Sequence, residues 1–299
     1  MIVSRRFFTW SDVVIRRWLI RDPTFLVKVV ETRGVCSDDR LWERARLWSV
    51  VPDWPCVGVP LRGHGVMMAG EVGPLEMRRG YIGSIDRGEG FRARTEPEAA
   101  FGVFVQWNPA VFGKPGDSSL NRTTIDPRDL SRIGEAIRGV IHPEATHDTL
   151  TVSISELFRA FGSLGVLDSG TSVRDVVVPP PPRVERIGRA IDGVLSRAGS
   201  RPMVVDLTRA LDCSERQARY LVSEYVGAYA LQGVTEWRTL VNVWTTYLAG
   251  LLMTANGATT ERVAALLGYG SPNAFCHALT NAGLPSPGEM RRVVASLAA

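Results

Sequence analysis

The sequence predicts an α+β protein: an N-terminal β-barrel or sandwich with trailing helices, then an all-α domain of two helix-turn-helix units joined by a long helix. Three observations predict it. Short apolar runs divided by glycine and proline fill residues 56 to 107, and four consecutive prolines stand at 179 to 182. Beyond them, apolar residues recur at helical spacing in two similar patterns, one on each side of a long apolar segment.

Composition sets the outer bounds. A chain of 299 residues with 45% hydrophobic content can build a packed core in each of two domains, which excludes a disordered chain. The net charge of +4 permits a polyanionic partner without demanding one. Its cations are almost all arginine, whose planar fork suits phosphate oxygens and guanine edges, although GC-rich coding produces the same bias without any function. Cys36, Cys56, Cys213 and Cys276 lie far apart, with no paired spacing for zinc and no disulfide framework. Asp12, Arg16 and Arg17 interrupt the first apolar stretch before a signal-peptide core can form, and no run approaches a membrane span. The expected location is the cytoplasm, with no membrane partner.

In the N-terminal domain, CVGVPLRGHGVMMAGEVGPLEMRRGYIGSIDRGEGFRARTEPEAAFGVFVQW reads as a meander of short strands. Two helices are expected after it. In DPRDLSRIGEAIRGVIHP, Leu130, Ile133, Ile137 and Ile141 form one stripe, and SISELFRAFGSL gives a second, shorter one. These stripes suit either a core or a dimer seam. The barrel region offers one histidine, His64, so it has no ligand set for a catalytic metal, and an enzyme is not expected. No cofactor is implied: the glycines match no nucleotide-binding loop, and the serine of GYGSP is misplaced for a nucleophile elbow. Arg62, His64, Arg78, Arg79, Arg92 and Arg94 suit either a pocket for an acidic small molecule or plain solvation. Trp54, Tyr81, Phe91, Phe101, Phe104 and Trp107 are expected in the barrel core.

The prolines of VVVPPPPRVER favour an extended, semi-rigid linker. This places a sensing domain at 1–178, the linker at 179–182 and a helical domain at 183–299. Val184, Ile187, Ile191, Val194 and Leu195 mark the first helix after the linker, which AGSRP ends. The first helix-turn-helix unit, about 203–226, has Leu207, Ala210 and Leu211 on one apolar face and Asp212 and Cys213 in the turn. Ser214 is its expected N-cap, with Gln217 at the third position of the capping box. Its second helix packs through Ala218, Leu221, Val222 and Tyr225, leaving Glu215, Arg216, Arg219 and Tyr220 outside. TEWRTLVNVWTTYLAGLLMTAN is expected to be one rigid helix. The second unit, about 258–282, buries Val263, Ala264 and Leu267, turns at Gly268, is capped by Ser271 and starts its second helix at Pro272.

ALDCSERQARYLVSEYVG and ERVAALLGYGSPNAFCHALTNAGLPSPGEMRR resemble the AraC/XylS family of bacterial transcription regulators over roughly residues 183 to 299. The shared pattern is an A-xx-LG-aromatic-x-S turn, a phenylalanine four residues later and a G-x-(S)P-xx-(F/Y/M)R ending. PLRGHGVM with GYIGSIDRGEGFRA resembles the family's cupin-like sensing and dimerisation domain more weakly. The resemblance implies that the barrel is cupin-like, that Arg216, Arg219 and Tyr220 face bases, and that Ser214 lies near a phosphate. It also implies promoter DNA and RNA polymerase as partners, a homodimer, a small-molecule or protein effector, and activation, with repression by site occupancy as the other sign. Where family members commonly carry arginine and lysine in the second unit, this chain has His277 and Thr280. Asn273 then reads adenine, His277 a base or phosphate, and the helix start behind Ser271 attracts a phosphate. Two functions follow: a sequence-specific DNA-binding regulator with a strong first unit and a weak second, or an interaction protein of the same fold with little DNA affinity.

Overall fold

Residues 2–33 alternate between two faces, but the inward positions are not all apolar. In β1 (Ile2–Trp10), Ile2, Ser4, Arg6 and Phe8 are buried while Phe7 and Thr9 are exposed. β2 (Val13–Arg21) and β3 (Phe25–Arg33) continue the antiparallel ladder, and Ser11, at φ 54°, makes the tight turn that sets Trp10 opposite Val13. These three strands, of nine residues each, are the longest among the described residues and are an addition to the sequence expectation.

The computed structural model describes residues 1–38, 54–68, 74–85, 92–95, 99–114, 123–167, 171–197, 201–228 and 235–295. The side chains of 37–38, 64–68, 74–78, 84–85, 92–95, 123–124, 228 and 293–295 lie outside that description. Further strands are β4 (Ser37–Asp38), β5 (Cys56–Arg62), β6 (His64–Met68), β7 (Pro74–Arg78), β8 (Tyr81–Ile85), β9 (Arg92–Thr95), β10 (Ala100–Trp107) and β11 (Thr123–Thr124). Among the described residues they form two antiparallel sheets, ordered β1-β2-β3-β10-β5-β8-β11 and β4-β9-β6-β7. The expected run of strands over 56–107 is present. Its last member, β10, crosses over to lie between β3 and β5 rather than beside β9.

α1 (Pro109–Phe112) follows β10, and α2 (Pro127–Ile141) and α3 (His147–Ser163) pack against one face of the larger sheet. Ile133, Ile137, Ile154, Leu157 and Phe161 are buried with Phe25, Val27, Val103, Val105 and Trp107 from the strands. Most of the two apolar stripes therefore serves the core. The second stripe belongs to a helix of 17 residues against 15 for the first. It starts earlier than expected because the Thr146 hydroxyl caps it, accepting from Thr149 N at 3.3 Å. α4 (Val173–Val176) leads to the prolines. Val177 and Pro181 are extended, whereas Pro182 is the first residue of the next helix, where its missing N–H costs nothing.

The rest of the chain is helical: α5 (Pro182–Leu195), α6 (Val204–Leu211), α7 (Glu215–Ala228), α8 (Trp237–Leu252), α9 (Thr260–Leu266), α10 (Pro272–Asn281) and α11 (Pro287–Ala295). The apolar faces expected of α5 and α9 are buried as read, and the long apolar segment between the two units contains the single helix α8. One residue departs: Ala210 is exposed, and α6 packs through Leu207 and Leu211 alone of the three.

A single apolar cluster joins these helices to the other face of the first strands. It holds Ile2, Phe8, Val13, Ile15 and Val35 together with residues of α5 through α11. The polar inward residues of β1 have their partner in this cluster. Asp192 of α5 accepts from Ser4 Oγ at 2.7 Å, Arg5 N at 2.6 Å and Arg6 Nε at 3.2 Å, and Ser196 Oγ accepts from Phe7 N at 3.3 Å. Side chains of α5 thereby close hydrogen-bonding groups on the outer edge of β1. Gly188 of α5 marks a close approach, since a Cβ there would lie 3.1 Å from Tyr225 and 3.2 Å from Ile2.

Candidate nucleic-acid interface

The first unit is assembled from α6, a left-handed turn and α7. Asp212 takes φ 52°, ψ 58°, a conformation that aspartate tolerates better than most residues, and Cys213 N donates back to Thr208 O at 3.1 Å. Arg186 of α5 donates to Leu211 O at 2.7 Å, fixing the end of α6 from outside. Ser214 caps α7 by accepting from Gln217 N at 3.3 Å. Ala218, Val222 and Tyr225 are buried and Leu221 is half-buried, so α7 is held by one face.

That packing presents Glu215, Arg216, Gln217, Arg219 and Tyr220 to solvent, with Tyr220 at 62% exposure. Arg216, Arg219, Tyr220 and Ser223 are spaced three and four apart and share one stripe. Arg219 is paired with Glu215, its Nε at 3.1 Å and Nη2 at 2.5 Å from the same carboxylate oxygen. An exposed i,i+4 pair is worth about 0.3 to 0.5 kcal/mol, whereas an arginine on a guanine edge gives about 1 to 3 kcal/mol of discrimination. The pair orients Arg219 without withholding it.

The second unit repeats the construction. Thr259 caps α9 by accepting from Arg262 N at 3.2 Å, and Val263, Ala264 and Leu267 are buried. Gly268 takes φ 75°, which an L side chain rarely adopts, and Tyr269 N returns to Ala264 O at 2.9 Å. Ser271 caps α10 by accepting from Ala274 N at 3.1 Å, and Phe275 and Leu279 are buried at 0% and 1% exposure. Asn273, His277 and Thr280 form the exposed stripe. α10 carries no acid in its first turn and no basic residue in its last.

Both units are braced by α8 and by the sheet. Trp244 donates to Leu195 O at 2.8 Å, and the Arg17 guanidinium lies 5.1 Å from its ring centroid and 5.0 Å from that of Tyr247. Burial, reinforced by the Arg6 charge, pushes Arg17 down to about 10, while burial pushes the Tyr247 phenol up against the opposing pull of Arg17. At the far end of α8, Thr254 Oγ1 accepts from Cys36 N at 2.9 Å, and Arg262 of α9 lies 5.2 Å over the Trp10 ring. Sequence reasoning missed this bracing. Its signal was present as charged residues inside apolar strands, but the partners stand about two hundred positions away.

Of the arginines considered for an effector pocket, Arg62 is exposed and pairs with Glu31 at 2.6 Å, and Arg79 is exposed. The side chains of His64, Arg78, Arg92 and Arg94 lie outside the described residues, as does Phe91. Among the described residues no group of three or more His, Cys, Asp or Glu could hold a metal, and no helix is long and apolar enough to cross a membrane.

No family model and no curated protein matches the chain. Solved structures match loosely. The AraC-like transcriptional activator CuxR is 14% identical, over 73% of this chain and 77% of its own, with a TM-score of 0.37. ToxT from Vibrio cholerae is 11% identical over 91% and 99%, at 0.34. The EutQ protein of Clostridium difficile is 12% identical over 32% and 68%, at 0.23. Likeness this loose says nothing about what the present chain binds.

Proposed function

We propose that the chain is a sequence-specific DNA-binding transcription regulator of the AraC/XylS type, reading DNA through α7 and α10. The observation that supports this most is the pairing of two capped helix-turn-helix units, each holding its second helix by an apolar face and presenting a polar stripe. In this reading Arg216 and Arg219 contact guanine edges, Tyr220 and Gln217 stack on or bond to neighbouring bases, and Ser214 approaches a phosphate. Asn273 and His277 read more weakly, and the α10 start behind Ser271 receives a phosphate. Two such helices on one rigid support enter successive major grooves, roughly 34 Å apart on one face of the duplex.

Residues 1–178 form the sensing and dimerisation domain, 179–182 the linker and 183–299 the reading domain. A homodimer links two readers and offsets the weak second unit. A small molecule or partner protein that favours one arrangement of sheet and helices shifts the population that fits the promoter, and contact with RNA polymerase makes the protein an activator. The buried contacts of α5 with β1 offer the physical route for that coupling.

The exposed stripe of α10, which carries no lysine or arginine, favours a second reading, an interaction protein that keeps the fold and binds another regulator. Electrophoretic mobility shift on fragmented genomic DNA at physiological salt separates the two. Retention of specific fragments is the expected result; retention of none, beside capture of another regulator, replaces the first reading with the second.

A further inference from the structure

Arg201 lies in the segment that enters the first unit, two residues before Met203, whose N–H donates to Asp206 Oδ2 at 2.8 Å as α6 begins. Its guanidinium makes two contacts at once. Nη2 donates to Asn242 Oδ1 of α8 at 2.7 Å, and Cζ lies over the Tyr269 ring, 5.5 Å from its centroid. Tyr269 belongs to the turn of the second unit, and its ring meets Phe275 edge-on at 5.3 Å. Phe275, at 0% exposure, is the residue that seats α10. Three elements otherwise separate in sequence, the entry to α6, the body of α8 and the seat of α10, are thus joined through one exposed side chain and its two contacts. The Tyr269 phenol reports the same proximity: burial pushes it up and the Arg201 charge opposes that.

We infer that Arg201 is a positioning residue that fixes the spacing between the reading helices α7 and α10, rather than a DNA contact. A planar fork can donate along its edge while its face covers an aromatic ring; a lysine ammonium, a compact point charge, reproduces the charge and not the tie. The competing role for an exposed arginine beside a helix-turn-helix unit is a phosphate contact, for which lysine substitutes and whose loss lowers the salt slope. The functional consequence rests on the DNA-reading proposal. The spacing itself does not.

The test uses the full chain as Arg201→Ala and Arg201→Lys, with two readouts. Spacing is read by pulsed electron paramagnetic resonance between nitroxides at Ser223→Cys on α7 and Thr280→Cys on α10, in a background carrying Cys213→Ser and Cys276→Ser. The parent is expected to give one narrow distance distribution, and both variants a broader or displaced one. Affinity is read on a promoter fragment across salt concentrations. Both variants are expected to lose about 3- to 10-fold, with the salt slope unchanged. An unchanged distance distribution in both variants overturns the inference. So does full binding by Arg201→Lys together with a slope flattened by about 0.9 in Arg201→Ala, which identifies a phosphate contact. If the distribution broadens while the parent retains no specific DNA, the tie stands and the DNA-reading proposal falls.

Discussion

The two helix-turn-helix units share a scaffold and differ in what they expose. α7 offers two arginines and a tyrosine, but its first residue is an acid, Glu215, where a phosphate would seek the helix start. α10 offers only an asparagine, a histidine and a threonine on its stripe, yet its capped start is free of acids. In the proposed reading the first unit discriminates bases and the second seats a backbone phosphate. Chemistry that names a base and chemistry that holds a register are separable, and one rigid helix between the units lets each do one task.

Removing the seat of α10 tests whether the second unit matters to DNA at all. Phe275→Ala is expected to cost about 3 to 5 kcal/mol of stability, measured by urea denaturation. If the variant, held folded at low temperature, binds its promoter fragment as the parent does, the second unit is packing and the comparison collapses. The Arg216→Ala/Arg219→Ala double variant is expected to lose about 2 to 4 kcal/mol of specific binding, at least about 30-fold in mobility shift, with little change in melting temperature. Asn273→Ala/His277→Ala is expected to lose only about 3- to 10-fold and to leave the salt slope near that of the parent, since neither residue is a fixed cation. Equal losses from the two double variants would erase the asymmetry. The smallest effect sharpens it: Glu215→Gln removes the acid at the start of α7, where a phosphate would approach, and is expected to tighten binding about 2- to 5-fold in the same assay.

The helical half was readable because its signals are local. Ser214, Gly268, Ser271 and Pro272 define their turns within a few residues, and the structure puts each in the expected place. Ala210 was misassigned because alanine fits either face of a helix, so the stripe it seemed to extend carried no information there. The early start of α3 was hidden in THDTLTVS, where threonine, serine and aspartate have weak helix propensity and act as caps or bond to the backbone of the preceding turn. β1 and β2 were hidden for the opposite reason. Their inward Ser4, Arg6 and Arg17 break an alternating pattern, and they are admissible only because Asp192, Trp244 and Tyr247 meet them from the far end of the chain. The exposed stripes of α7 and α10 were legible as surfaces, but the Arg219 pairing and the Arg201 tie needed coordinates.

The closure of the β1 edge by α5 has a consequence in time. Asp192 lies 188 positions after the Ser4 hydroxyl it holds. During synthesis β1 and β2 leave the ribosome long before the helix that covers them. At about 5 to 20 residues per second, an open strand edge and a buried-to-be arginine face stand uncovered for roughly 10 to 40 seconds. Such long-range closure is slow, and an open edge is a template for pairing with other chains. Yield during expression should therefore depend on what happens in that interval, and slower translation between β3 and α5 lengthens it.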